Sequence, residues 1–174
     1  MTELRPTLTG ERVTIRPGEE GDVDVLLAVL DEPSVARWWG EPESREDVLG
    51  KLSAASDVVL LVVEVGGELA GGIEYLEEST PEYRHAGIDV YLAERFQGRG
   101  LGAEAVRLLA QFLFDVRGHH RLTIDPAVDN VRAVRAYEKV GFRPVGVMRE
   151  YELREDGHFH DGLLMDLLRG ELVD

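Results

Sequence analysis

The chain has 174 residues, 44% of them hydrophobic and 30% charged, with 34 acidic against 19 basic residues, a net charge of −15 and no cysteine. That length suits one domain able to bury roughly 70% of its surface, and the absence of thiols excludes disulfides, thiolate metal sites, Fe–S clusters and a cysteine nucleophile. The acidity argues against nucleic acid or an anionic membrane as partner, since both need a basic face, and it permits a cationic substrate.

No apolar run approaches the ~20 residues of a membrane helix. The N-terminal MTELRPTLTGERVTIRP has no apolar signal core. The expectation is one uncleaved domain over residues 1–174, in the cytoplasm, monomeric or a homodimer. Arg12–Arg16 alternates and predicts a first strand. Gly21–Leu30 predicts a helix capped near Asp22 and stopped by Pro33. Ser34–Trp39 and Ser44–Leu52 predict short helices around a Gly40–Pro42 turn. Val58–Val65 and Glu68–Glu77 are β-rich and join at Gly66–Gly67, a hairpin signal. Glu77–Arg84 predicts a polar loop. His85–Ala93 predicts a strand with Ile88, Val90 and Leu92 on one face and Asp89 and Tyr91 on the other.

Phe96–Gly102 is a glycine-rich turn, and a helix follows with Leu101, Ala105, Leu108, Leu109, Phe112, Leu113 and Val116 on one stripe. Gly118 ends it. Arg121–Asp125 predicts a short strand closed by Pro126. Asp129 or Asn130 caps a helix that runs to Val140 and ends at Gly141. Pro144–Leu153 and Phe159–Leu168 predict a closing hairpin. Hairpins flanking a β–α–β–α stretch give an α+β fold with a mixed sheet.

The turn Gln97-Gly98-Arg99-Gly100-Leu101-Gly102-Ala103 sits between a strand and a strong helix. Three alternating glycines let the backbone approach a ligand, and the unpaired first-turn N–H groups point at it, as in anion sites. Arg95 and Arg99 add positive charge. The spacing is neither a Walker A loop nor the dinucleotide G-x-G-x-x-G. A tight turn that needs glycine for geometry alone is the competing reading.

Gln97-x-x-Gly100-x-Gly102-Ala103 resembles the acyl-CoA pyrophosphate loop of the GNAT N-acetyltransferase superfamily. Asn130–Phe142, NVRAVRAYEKVGF, resembles that superfamily's second signature. SVARWWG at Ser34–Gly40, AGIDVYLA at Ala86–Ala93 and TIDP at Thr123–Pro126 are together similar to the aminoglycoside 6′-N-acetyltransferases. The resemblance implies a mixed, mostly antiparallel sheet of about seven strands, splayed between its two central strands and flanked by helices. It implies acetyl-CoA as co-substrate, with Gln97, Gly98, Arg99, Gly100, Leu101, Gly102 and Ala103 at the pyrophosphate and Asn130 at the pantetheine arm. The backbone of Val90, Tyr91 and Leu92 would polarise the thioester. Trp38, Trp39, Asp89 and Asp125 would hold a small cationic amine. No metal is expected, because His158 and His160 share a strand face without a third ligand.

Amide formation from a thioester needs a proton acceptor for the amine and a donor for the thiolate. Asp89, alone among Ile88, Val90 and Leu92, is the candidate acceptor; an ion pair with Arg84 or His85 is the alternative. Tyr137 is the candidate donor; packing of a helical aromatic on the sheet is the alternative. The indole faces of Trp38 and Trp39 suit cationic or sugar-like ligands. The acceptor implied is an aminoglycoside 6′ amine. A protein N-terminus, a lysine-type metabolite and a non-catalytic acyl-CoA-binding module are the competing readings.

Overall fold

The computed structural model describes residues 4–174. The strands are β1 (Leu8–Thr9), β2 (Val13–Pro17), β3 (Val58–Val65), β4 (Glu68–Glu78), β5 (His85–Leu92), β6 (Arg121–Ile124), β7 (Arg143–Leu153) and β8 (Phe159–Leu168). The helices of four or more residues are α1 (Val23–Leu30), α2 (Pro33–Ala36), α3 (Arg45–Leu52), α4 (Leu101–Asp115) and α5 (Val131–Val140). The sheet has eight strands in the order β1-β2-β3-β4-β5-β6-β8-β7, antiparallel everywhere except between β5 and β6. The strand beyond the expected seven is the two-residue β1.

Local chemistry accounts for the boundaries. Ser44 caps α3 and Asp47 bonds back to the Ser44 amide, a reciprocal arrangement that satisfies two orphan donors. The β3–β4 hairpin turns at Gly66 and Gly67, both left-handed at φ 60° and 81°, as a type I′ turn requires. Asp22 does precede α1, but its carboxylate binds Arg16 rather than the helix amides. The helix expected over Ser34–Trp39 shrinks to Pro33–Ala36. β4 runs one residue past the expected Glu77, to Glu78. Glu77 is held there by Arg117 at 2.8 Å and by His119 Nε2 at 2.7 Å.

Each face of the sheet has its own cover. Tyr75 of β4 meets Phe112 of α4 on one face, ring centroids 6.5 Å apart. Glu74, one residue earlier, meets Lys51 of α3 on the other. The buried core runs through β3, β4, β5 and α4. β7 is the outer strand and is exposed along most of its length.

The register creates the feature that matters for function. β5 and β6 pair only at Ala86–Leu122 and Gly87–Thr123. Beyond those pairs the two strands part, while β5 keeps its pairing with β4 as far as Leu92. Ala93 N–H donates to Ala70 O at 2.8 Å. Alternation along the antiparallel ladder then turns the backbone groups of Val90 and Leu92 away from β4, into the gap.

Candidate active site

One cleft of about 870 Å³ opens at the splay. Trp38, Trp39, Val90, Tyr91, Leu92, Gln97, Gly98, Gly100, Leu101, Gly102, Ala103, Asn130 and Tyr137 all line it. The structure therefore brings together candidates more than ninety residues apart in the chain. Asp89, Arg99 and Asp125 stand outside the lining; the Arg99 carbonyl accepts Arg12 Nη1 at 2.9 Å. A separate hollow of about 250 Å³, beside His85 and Arg121, contains none of the candidates.

The glycine turn is built for close approach. Gly98 and Gly100 adopt φ 71° and 77°, a region that costs a side-chain-bearing residue roughly 1–2 kcal/mol. Gly100 is the N-cap of α4 and provides no side-chain cap. The first-turn amides of this 15-residue helix are left for a ligand, at the positive end of its dipole. Gln97 anchors the turn: its Nε2 donates to Leu92 O at 2.7 Å and to Ser34 Oγ at 3.2 Å, and its Oε1 accepts Arg132 Nη2 at 3.1 Å. Its side chain is thereby committed to the protein. Arg95 is also committed, to Glu68 at 2.6 Å.

The cationic charge on this side comes from α5. Arg132, Arg135 and Lys139 line the cleft with Arg37, and no acidic residue does so. Their i, i+3, i+7 spacing puts them on one helix face. Sequence reasoning missed them, although that spacing was readable. Asn130 caps α5 by accepting the Ala133 amide at 3.2 Å and lines the cleft. Four basic side chains and a helix N-terminus make this half a site for a polyanion.

The other half is acidic. Asp89 of β5 stands opposite Glu74 in the ladder, and Asp125 follows β6 across the gap. Asp89 has no hydrogen-bond or ion-pair partner among the described residues: Arg84 bonds Arg117 O and His85 bonds Tyr83 O instead. Its side chain is open to water, yet it sits deep among the surrounding elements. Enclosure, then the Asp125 and Glu74 charges, push its carboxyl up to about 8, against the pull of Lys51. Water reaching the carboxylate moderates each of these effects. Tyr151 of β7 donates to Asp125 Oδ2 at 2.6 Å, and that bond first, with burial second, raises its phenol to about 12. Burial raises Glu152, with Arg154 opposing and Asp125 adding.

Trp39 stacks edge-on against Tyr91, centroids 4.7 Å apart, and donates Nε1 to Glu43 at 2.9 Å. Tyr91 presents its ring to the cleft. A Cβ on Gly72 would come within 2.5 Å of that ring, so glycine is required beneath it. Trp38 already carries two guanidiniums, Arg37 at 4.5 Å and Arg154 at 5.2 Å from its centroid. It walls the cleft, but its faces are taken by the protein's own cations.

Among the described residues no group of three His, Asp or Glu is placed to hold a metal, and no helix is long and apolar enough to cross a membrane. The family profile described as "Acetyltransferase (GNAT) domain" matches residues 12–143. The aminoglycoside N(6′)-acetyltransferase type 1 of Klebsiella pneumoniae is 33% identical over 161 residues, covering 82% of this chain and 79% of that one. The spermidine N(1)-acetyltransferase of Escherichia coli K12 is 28% identical over 167 residues, covering 92% and 88%. The solved structure of AAC(6′)-Ib in complex with paromomycin and acetyl-CoA superposes with a TM-score of 0.74 at 26% identity, covering 92% of this chain and 96% of that one.

Proposed function

This chain belongs to the GNAT acetyltransferase family, and from that premise we propose that it moves an acetyl group from acetyl-CoA to the 6′ amine of an aminoglycoside, by direct attack with both substrates bound. The single observation behind this reading is the division of charge across the β5–β6 gap. One side is lined by basic residues and no acidic ones; the other gathers Asp89, Glu74, Asp125 and Glu152. A polyanionic donor and a polycationic acceptor meet where those halves meet.

The roles follow from position. The amides of Gly98–Ala103 and the α5 cations hold the donor's phosphates. The Val90 and Leu92 amides, free of β4, stabilise the negative charge that develops on the thioester oxygen. Asp89 takes the proton from the acceptor's ammonium, and the amine forms the C–N bond. The C–S bond breaks, Tyr137 hydrogen-bonds the departing thiolate, and the second proton shed by the nitrogen as the amide forms leaves with the sulfur as the free thiol of CoA. Asp125, fixed by Tyr151, holds the acceptor's charge. The whole chain acts as one catalytic domain.

An aliphatic polyamine acceptor is the second reading. It is supported by the spermidine acetyltransferase relative, which covers more of this chain than the aminoglycoside relative does. A thiol-release assay with kanamycin, spermidine, free lysine and an N-terminal peptide separates the two. Kanamycin should give the highest kcat/KM. Faster turnover of spermidine would replace the aminoglycoside assignment, and faster turnover of the peptide would remove the polycation argument.

Donor binding has its own check. Acetyl-CoA at about 100-fold over Kd should stabilise the fold by ~2.7 kcal/mol, or roughly 5–11 °C in Tm for this size. Desulfo-CoA should do nearly as well. Gly100→Val should abolish the shift while circular dichroism still reports a folded protein, because a β-branched residue at φ 77° closes the turn. A full shift in that variant would move the phosphate site elsewhere.

A further inference from the structure

The acidic half of the site contains a cation to which the chemistry above gives no task. Lys51, near the end of α3, places Nζ 2.7 Å from Glu43 Oε1 and 2.9 and 3.3 Å from the two Glu74 oxygens. The three side chains are enclosed, at 23%, 13% and 9% exposure for Lys51, Glu43 and Glu74. Trp39 Nε1 donates to the same Glu43 oxygen, and the other oxygen, Oε2, is buried without a partner.

Glu74 is also the ladder partner of Asp89. Directly opposed residues on antiparallel strands point to the same face, with Cβ atoms about 4.5–5.5 Å apart. Carboxylates carried on opposed Cβ atoms of one face repel, which disfavours their joint ionisation near neutral pH unless a cation compensates one. Lys51 bonds both oxygens of Glu74 and provides that compensation.

We propose that Lys51 is a positioning residue that sets the ionisation of Asp89 through Glu74: by holding Glu74 and Glu43 it offsets the negative charge beside Asp89 and lets Asp89 ionise at a lower pH. The consequence for catalysis rests on the reading of Asp89 as the proton acceptor. The other groups that face Asp89 are Asp125 after β6, Tyr151 and Glu152 of β7, and Tyr137 of α5. Asp125 is bonded by Tyr151, and Glu152 has Arg154 Nε at 4.0 Å. Lys51 acts on Asp89 in the opposite sense to Asp125, Glu74 and Glu152.

The test pairs two substitutions of opposite sign with two readouts. Asp89's carboxyl is titrated by carbon-13 NMR, its resonance assigned with Asp89→Asn, and kcat/KM is measured against pH. Lys51→Met should move the Asp89 titration up by about one pH unit, the low end of what a nearby opposite charge does. The acidic limb of kcat/KM should follow, lowering the rate about tenfold at pH 7 with recovery at high pH. Lys51→Arg should restore both. Glu74→Gln should move both in the other direction, and it keeps the test open if Lys51→Met fails to fold.

An Asp89 titration unmoved in both Lys51→Met and Glu74→Gln overturns the proposal. So does a uniform loss of rate at every pH with the limb in place, the signature of a purely structural lysine. A titration that moves while the pH–rate limb stays put upholds the action of Lys51 on Asp89 and instead removes Asp89 from its role as base.

Discussion

Asp89→Asn should lower kcat/KM by at least ~100-fold and flatten the acidic side of the pH profile. The magnitude is the low end of what a positioned base contributes. With the Asp89 carboxyl pushed up to about 8 by enclosure and by Asp125 and Glu74, kcat/KM in the wild type should rise as pH increases through that region. The limb in kcat should lie lower, because ammonium groups of a bound acceptor favour the carboxylate. The Asn variant has no group left to titrate there.

The same substitution should raise stability in alkaline buffer. The folded Asp89 keeps its proton up to about 8, whereas an unfolded Asp loses it near 3.9. The folded state thus binds more protons across that window, and stability falls as pH rises through it. Asn has no carboxyl to ionise and removes this pH dependence. After discounting for water at an exposed carboxylate, the gain at pH 9 should be on the order of 1 kcal/mol, or about 2–4 °C in Tm. Thermal unfolding of both proteins at pH 5 and 9 reads this directly: the gap should be several-fold larger at pH 9 than at pH 5. Retained activity within about threefold of wild type would sink the base assignment.

The parts legible in the sequence are those whose signals are local. The Gly66–Gly67 turn, the α4 stripe, the α5 cap at Asn130 and the left-handed Gly141 follow from period and turn chemistry within a few residues. Asp89 is conspicuous because Ile88, Val90 and Leu92 around it are aliphatic. Asp89 and Asp125 are named through the family resemblance, but Glu74 and Glu152, the rest of the acidic cluster, are not legible, because sheet order assembles it. Lys51 and Glu74 are 23 residues apart, and nothing short of the β4 register shows that Glu74 faces Asp89. Tyr151 reaches Asp125 from β7 because β7 and β8 shift register between Met148 and Glu152, with Glu150 at φ 50°. Bulges of this kind re-aim side chains, and periodicity does not announce them. Arg132, Arg135 and Lys139 fail for another reason. At helical spacing a basic stripe looks the same whether it faces solvent or a phosphate, and only the place of α5 beside the cleft decides.

Tyr137→Phe should lower kcat by about 10- to 100-fold with a smaller change in the KM for acetyl-CoA. The ring is buried against Phe142, centroids 6.3 Å apart, so phenylalanine keeps the packing and removes only the hydroxyl. Burial first, and then the Asp89 and Asp125 charges, raise the Tyr137 phenol above its ordinary value. Tyr137 therefore holds its proton at any assay pH. A thiol near 8.5 is the stronger acid of the pair, so full transfer to the thiolate is uphill, and the main contribution of the phenol is a hydrogen bond to sulfur as its charge grows. The two candidates are also coupled in the useful direction. When Asp89 takes the acceptor's proton, one of the charges that holds the phenol's pKa up is neutralised. Tyr137 becomes a better donor at the moment the thiolate forms. The coupling has a consequence of its own: with Asp89 already replaced by Asn, Tyr137→Phe should cost less than it does in the wild type, because the change in Asp89's charge is gone. Single-turnover rates for the two variants and the double variant close that cycle. Equal Tyr137→Phe losses in both backgrounds would separate the two groups, and an unchanged kcat with chemistry limiting would return Tyr137 to packing alone.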